Sequence, residues 1–359
     1  MTRTFVSPPR YVQGTGRLAE LGAYVSELGT CALVVTDELV YDVVGGSVDR
    51  SLSSAGVEYH VGVFSGECTA DEISRLSTVA RDTETDVILG VGGGKAIDVA
   101  KSVRGQVGGR LVTLPTIAST DAPTSGLSVV YTDEGRIAGG IVHDERPDLV
   151  LVDTDVIAAA PTRWFVSGIG DALATRFEAA VTVESGGQTI TGGRPSRAGV
   201  ALAHECYDVL RTHAPAAVRA VQEGTVTDAV EETVESIVLL SGLGFENGGL
   251  AAAHAIHDGI VSAGGITATH GEKVCVGLFA QLVLEARPDE EIRDIARFAR
   301  DIGLPVTFTD IGVPTSRLGA IADAACGEAT SIGNQAGDPS PAAVHDALLA
   351  ADELGRTLE

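Results

Sequence analysis

The stretch Val87–Lys101, VILGVGGGKAIDVAK, decides the fold. Val87, Ile88 and Leu89 form a short apolar run of the kind that makes a buried strand. Gly92, Gly93 and Gly94 follow, and Lys95 to Lys101 has helical spacing. Glycine lacks a Cβ, so the backbone can bend sharply and let a phosphate approach. The helix N-terminus behind the bend offers unpaired N–H groups and the positive end of a dipole. The stretch therefore reads as a seat for a dinucleotide pyrophosphate, or more simply as a strand-to-helix turn. The spacing is not the G-x-G-x-x-G fingerprint.

Upstream, Cys31 to Val35 is a buried strand that ends at Thr36-Asp37, and a helix is expected from about Glu38. Nucleotide-binding folds use an acidic residue just past a strand end to contact ribose hydroxyls. Asp is equally favoured as a helix N-cap, so both roles stay open for Asp37. Tyr59 to Phe64 reads as a strand and Thr69 to Arg81 as a helix with an acidic start. Arg17 to Leu28 reads as a short amphipathic helix after a Pro-containing extended segment. Downstream, Leu111 to Leu114 is a strand stopped by Pro115. Thr116 to Ser125 is then a polar loop at a strand's carboxyl end, where open α/β sheets bind ligands. Ser128 to Tyr131 and Leu149 to Val152 are further strands. Strands alternating with helices imply a parallel sheet with crossovers, so residues 1–160 are expected to form an α/β domain.

From Pro161 the pattern changes. Residues 172–178, 196–210, 228–243, 250–261, 272–286 and 289–302 show helical spacing, and strand signals nearly vanish. Residues 161–359 are expected to form an all-α domain, with Gly186 to Gly193 as a loop. Asp171 follows Gly168 and Gly170 at an expected helix start. His254 lies in an Ala-rich helix, and His270 stands at the entry to the next one. One carboxylate and two imidazoles suit a divalent metal with positions left open for substrate. Each also has a plainer reading: an N-cap, a core histidine and a loop residue. His257 lies three residues from His254, on the same helix face, as an alternative ligand or a substrate contact.

Composition narrows the partners. The 359 residues carry 49 acidic against 25 basic side chains, a formal net charge of -24. That repels nucleic acid and anionic membranes. Lys95, Lys101 and Lys273 are the only lysines. A carboxylate-rich surface almost without lysine suggests adaptation to high salt, where screening relieves the mutual repulsion. Five scattered cysteines contain no C-x-x-C pair, so reduced thiols in a cytoplasm are expected. No apolar run approaches the ~18 residues of a membrane span.

Five segments carry a resemblance: GVGGGKAIDVAK (Gly90–Lys101), LPTIASTDAPTSGLSVVYTDEG (Leu114–Gly135), GIGDALATRFEA (Gly168–Ala179), SGLGFENGGLAAAHAIHDG (Ser241–Gly259) and THGEKV (Thr269–Val274). They resemble the glycerol dehydrogenases of the iron-containing alcohol dehydrogenase superfamily, across most of the chain. The resemblance implies an α/β N-terminal nucleotide-binding domain plus an all-α C-terminal domain, the dehydroquinate synthase-like plan. It implies homo-oligomers and an NAD-dependent oxidation of the glycerol C2 hydroxyl to dihydroxyacetone, with zinc as Lewis acid. By motif match, Asp37, Gly94, Lys95, Ala96, Ile97, Asp98, Thr116, Ile117, Ala118, Ser119, Ser125, Leu127 and Tyr131 would contact NAD. Asp171, His254 and His270 would hold Zn2+ beside the substrate, and Asp121 would contact its hydroxyls, so that Asp121 and His254 serve catalysis.

Two departures sharpen the reading. Iron-dependent relatives carry a fourth ligand, a histidine, where this chain has Thr175, which favours zinc. Glycerol-1-phosphate dehydrogenases usually have Ser-His-Asp-Gly where this chain has Ser119-Thr120-Asp121-Ala122, which favours an uncharged polyol. That enzyme, or another small-alcohol dehydrogenase, is the alternative within the superfamily. A dehydroquinate synthase would need more basic residues than Arg163, Arg176 and Lys273. A non-enzymatic NAD-binding regulator is the third class. Residues 263–268 are small where bulkier ones are expected, which bears on the substrate mouth.

Overall fold

Apolar runs with a side-chain period of two fill both faces of a sheet. The computed structural model describes residues 2–133, 135–328 and 330–358. Its strands are β1 (Tyr11–Gly14), β2 (Cys31–Thr36), β3 (Glu58–Val63), β4 (Val87–Gly92), β5 (Arg110–Pro115), β6 (Leu127–Tyr131), β7 (Ile137–Val142) and β8 (Leu149–Asp153). Six of them make one parallel sheet in the order β1-β8-β5-β4-β2-β3, while β6 and β7 form a separate antiparallel hairpin.

Helices α1 (Leu21–Ser26), α2 (Glu38–Ser54), α3 (Ala70–Asp82) and α4 (Gly94–Val107) cover the sheet. The alternation decides which face each side chain enters. Ala32, Val34, Leu89 and Val91 pack with Leu21, Val44, Val48 and Leu52 from α1 and α2. Leu33, Val35 and Ile88 pack on the other face with Ile73, Leu76, Val99 and Val103 from α3 and α4. Burial on both faces explains why β4 reads as continuous apolar sequence.

After α5 (Thr154–Ala159) the chain is helical: α6 (Thr162–Ser185), α7 (Arg197–Gln222), α8 (Asp228–Glu235), α9 (Gly242–Gly248), α10 (Ala252–Ala263), α11 (His270–Leu284), α12 (Asp289–Asp301), α13 (Leu318–Ala325) and α14 (Pro341–Arg356). Their shared core also takes in Ala118, Val150 and Val152, so the helical layer is built onto β8 and the loop after β5. Among the described residues no single helix is long and apolar enough to cross a membrane.

The structure corrects the expected start of one helix. Asp171 is not at a helix start; α6 begins at Thr162 and runs through it. Gly168 and Gly170 are contact points rather than breakers. A Cβ on Gly168 would lie 2.1 Å from the Ala118 carbonyl oxygen, and one on Gly170 2.6 Å from that of Gly271. The expected helix over Arg17–Leu28 divides into a 3-10 turn, Arg17–Glu20, and α1. The expected helix at 196–210 continues to Gln222 with Pro215 inside it. Strand β7 and helices α13 and α14 were not read from the sequence.

Candidate active site and metal centre

The chain leaves β2 for β3 on one side and β4 for β5 on the other, so the carboxyl ends of β2 and β4 flank the sheet's switch point. Open α/β sheets bind ligands in that crevice. Asp37 and the triple glycine both lie there. Asp37 Oδ1 accepts from Val40 N at 2.9 Å and caps α2. A Cβ on Gly92 would lie 3.9 Å from Asp37 Oδ2, so the second oxygen overlooks the glycine bend. The two roles left open for Asp37 are therefore compatible.

Gly92 has φ +149°, and Gly93 caps α4 without any side-chain hydrogen bond. A cradle of bare N–H groups behind glycines fits a pyrophosphate. Thr116 N donates to Gly92 O at 3.1 Å, which lays Thr116, Ile117, Ala118 and Ser119 alongside the bend. Ala96, Ile97 and Ala118 are buried in the core beside the bend. Lys95 pairs with Glu67 at the rim.

Asp98, Ser125 and Leu127 converge on a residue that sequence reasoning passed over as a site residue. Lys101 is 2% exposed, and its Nζ donates to Leu127 O at 2.6 Å, Asp98 Oδ1 at 3.2 Å and Ser125 Oγ at 3.4 Å. Asp98 Oδ2 accepts from Val129 N at 3.0 Å, which braces the β6–β7 hairpin against α4. Burial pushes the Asp98 carboxyl upward despite the nearby ammonium. Tyr131 ends β6 beside this cluster and is half-buried.

Three helices build the second half of the site. Asp171 comes from the middle of α6, His254 from the first turn of α10 and His270 from the first residue of α11. Thr269 and Glu272 form a capping box that sets the entry of α11. The Nε2 atoms of His254 and His270 approach the same oxygen, Asp171 Oδ1, at 3.3 and 3.1 Å. One ligand atom from each of the three residues lies within 4.8 Å of the others. Two imidazoles and a carboxylate converging on one point are a donor set for a divalent cation.

Burial would raise the Asp171 carboxyl, but the two imidazoles outweigh it and hold the group far below the ordinary carboxylate range. Burial would likewise depress His254, but Glu178 and Asp171 push it well above the ordinary value. Glu178, on α6 two turns beyond Asp171, is fully buried and orients His254. Its oxygens accept from His254 Nδ1 at 2.7 Å, His254 N at 3.0 Å and Ala251 N at 2.8 Å. That bond turns Nε2 toward Asp171. Sequence reading missed Glu178; the signal available was an acid seven residues after Asp171, on the same helix face.

His257 is outside the ligand group. Its Nδ1 bonds to Asp258 Oδ1 at 3.0 Å, its ring stands 4.3 Å from that of His270, and burial followed by His270 pushes it down to about 4. Thr175 turns its hydroxyl to Ser241 Oγ, 2.8 Å away. Asp121 joins the two halves: its N donates to Asp171 Oδ2 at 3.3 Å, and its carboxylate accepts from Ser241 Oγ at 2.8 Å. Burial, then the Asp171 charge, pushes the Asp121 carboxyl well above the ordinary range. One residue earlier, Thr120 Oγ1 is 3.4 Å from where a Cβ of Gly94 would stand. The metal centre and the glycine bend therefore face the same loop. A surface pocket of about 850 Å3, lined by Arg163, Glu272, Arg300 and Arg356 among others, contains none of the three ligand residues.

Residues 8–154 match the family model for iron-containing alcohol dehydrogenases. The whole chain is similar to a glycolaldehyde reductase from Halobacterium salinarum, with 48% identity over 99% of both chains. It is 41% identical to a glycerol dehydrogenase from Escherichia coli, over 99% of this chain and 98% of that one. The chain belongs to the iron-containing alcohol dehydrogenase family. Within that family, the solved structure of a probable glycerol dehydrogenase from Sinorhizobium meliloti superposes with a TM-score of 0.95 at 40% identity. That match covers 99% of this chain and 100% of the other.

Proposed function

We propose that this protein is an NAD-dependent and zinc-dependent dehydrogenase of small polyols, which oxidises the C2 hydroxyl of glycerol to the ketone of dihydroxyacetone. The observation that carries the reading is the continuity from the glycine bend through Thr120 and Asp121 to Asp171, His254 and His270. Relatives named as glycerol dehydrogenases, 41% and 40% identical to this chain, support the substrate class.

In this reading, a bound zinc would supply Lewis acidity at the substrate hydroxyl, whose proton would leave to solvent, and a bound NAD+ would supply the hydride acceptor. The chain's own residues bind and orient. Asp171, His254 and His270 hold the ion, with Glu178 fixing His254. Asp121 accepts a hydrogen bond from a substrate hydroxyl. Asp37 accepts from ribose hydroxyls and repels a 2′-phosphate, which favours NAD. Gly94 to Asp98, Thr116 to Ser119, Ser125, Leu127 and Tyr131 line the dinucleotide. Residues 1–160 form the cofactor domain, and 161–359 the domain for metal and substrate. Three protein ligands, with Thr175 facing Ser241, support zinc over iron.

The five free thiols support a cytoplasmic setting. The acidic, lysine-poor composition and a relative from a halophilic organism support a high-salt host. The family resemblance supports a homo-oligomer.

A second reading is favoured by one observation, the 48% identity to a glycolaldehyde reductase. The same site would then work in the reducing direction on a short α-hydroxy aldehyde. NADH absorbance with glycerol, 1,2-propanediol, glycerol 1-phosphate, dihydroxyacetone and glycolaldehyde separates the readings. Turnover with glycerol and dihydroxyacetone is expected. Activity confined to glycolaldehyde selects the second reading, and activity with glycerol 1-phosphate alone overturns both.

A further inference from the structure

The rod that carries α8 and α9 is not α-helical throughout. Residues Ser236–Ser241 between them form a π-helical turn, and Glu235 and Gly242 on either side keep helical dihedrals. A π turn takes up one extra residue, releases carbonyls from the i→i−4 ladder and rotates the side chains that follow. Here two carbonyls of the turn accept from neighbouring segments. Ser236 O accepts from the Cys206 thiol at 3.3 Å, and Val238 O accepts from the Thr124 hydroxyl at 3.0 Å. A Cβ on Gly242 would lie 1.8 Å from Thr124 Oγ1, so glycine is what lets the loop after β5 sit against this turn.

The last residue of the turn is Ser241, fully buried, which donates to Asp121 Oδ2 at 2.8 Å. A hydroxyl has one proton, and that of Ser241 goes to Asp121. Thr175, buried on α6 and 2.8 Å from Ser241 Oγ, is therefore the donor to Ser241. With Asp121 as the acceptor, the chain runs from Thr175 to Ser241 to Asp121. Among the described residues no hydrogen bond reaches Asp121 Oδ1.

We propose that the π turn is a positioning device for substrate: Ser241, backed by Thr175, fixes one oxygen of Asp121 and so presents the other to a substrate hydroxyl beside the metal centre. The inference rests on the polyol reading above. It assigns positioning roles to two residues that touch neither metal nor substrate. Without Ser241, Asp121 loses the one side-chain donor that it has among the described residues, and nothing then fixes the turn of its carboxyl group.

The test uses the zinc-loaded, full-length protein and its Ser241→Ala, Thr175→Val and Thr175→Ser variants. Removing a donor to a carboxylate should raise the KM for glycerol about tenfold in Ser241→Ala, with kcat and the KM for NAD within about threefold of wild type. Thr175→Val should shift the glycerol KM in the same direction by less, and Thr175→Ser should restore it. Zinc stoichiometry and melting temperature should stay near wild type in Thr175→Val and Thr175→Ser. A wild-type glycerol KM in Ser241→Ala overturns the proposal, as does a Thr175→Ser variant that behaves like Thr175→Val. So does a rise in KM that tracks lost zinc or lost melting temperature across the variants. A wild-type protein inactive on every polyol and α-hydroxy aldehyde overturns the functional reading instead. Amide hydrogen exchange over residues 119–125, without substrate, then decides the positioning claim: several-fold faster exchange in Ser241→Ala supports it, and unchanged exchange overturns it.

Discussion

Glu178 is a carboxylate with no exposed surface, a placement that is costly unless every lone pair is engaged. It engages the backbone and the ring of one metal-facing histidine at once. Partners of this kind typically contribute about 10–100-fold in metal affinity. Glu178→Gln keeps the shape but removes the charge, so zinc affinity should fall by about that factor in competition with a chelator. His254→Ala should lose both zinc and turnover while circular dichroism shows an intact fold. Full activity without zinc would remove the metal assignment. Asp37 gives a cleaner substitution, because glycine at an N-cap costs only a few tenths of a kcal/mol. Asp37→Gly should leave stability nearly unchanged and narrow the NAD over NADP preference by about tenfold, read as the ratio of kcat/KM values. An unchanged ratio would leave Asp37 with capping alone.

At the scale of elements, the site depends on how closely α6 and α11 cross. A Cβ on Gly271 would lie 1.7 Å from Ser167 O, and the neighbour that must give is backbone. Gly271→Ala should therefore push α11 off α6, separate His270 from Asp171 and destabilise the fold by about 2 kcal/mol or more. Urea unfolding and zinc titration check the two effects, and a variant unchanged in both would mean that the crossing relaxes freely. The same glycines mark the limit of what the sequence displays. Gly168 and Gly170 read locally as the end of a loop, because a single chain cannot show that a second backbone lies against them. The first half was more legible, since β2, β4, β5 and β8 are buried and their apolar runs are continuous. Strand β7, with two glycines and exposed side chains, carries no such signal. The π turn is invisible for a similar reason: one added residue hardly disturbs a pattern of apolar positions. The triad Asp171, His254 and His270 stood beside plainer readings until the resemblance favoured it, since its members are far apart along the chain. Glu178 and Ser241 act through neighbours that only folding supplies.

For the whole molecule, charge is the dominant fact. A formal net charge of -24 on 359 residues makes the compact state repel itself in dilute buffer. At ~1 M salt the Debye length falls to about 3 Å, and most of that repulsion is screened. The melting temperature should rise by several degrees between about 0.1 and 2 M potassium chloride. A flat or falling curve would count against the high-salt reading. The ion pairs seen, such as Arg163–Glu272 and Arg211–Asp294, are mostly exposed and should weaken over the same range, so a rise would come from relief of repulsion.

The three lysines stand in unequal surroundings. Lys101 is sealed under the β6–β7 hairpin and Lys273 is half-buried, whereas the Lys95 side chain is 52% exposed at the mouth of the glycine bend. An amine-acylating reagent thus meets one open side-chain target, and it borders the dinucleotide seat. Its labelling rate, followed by mass spectrometry, should drop when NAD is added and stay constant with glycerol alone. The protein would then carry its own footprinting probe for cofactor occupancy, with no engineered tag or dye.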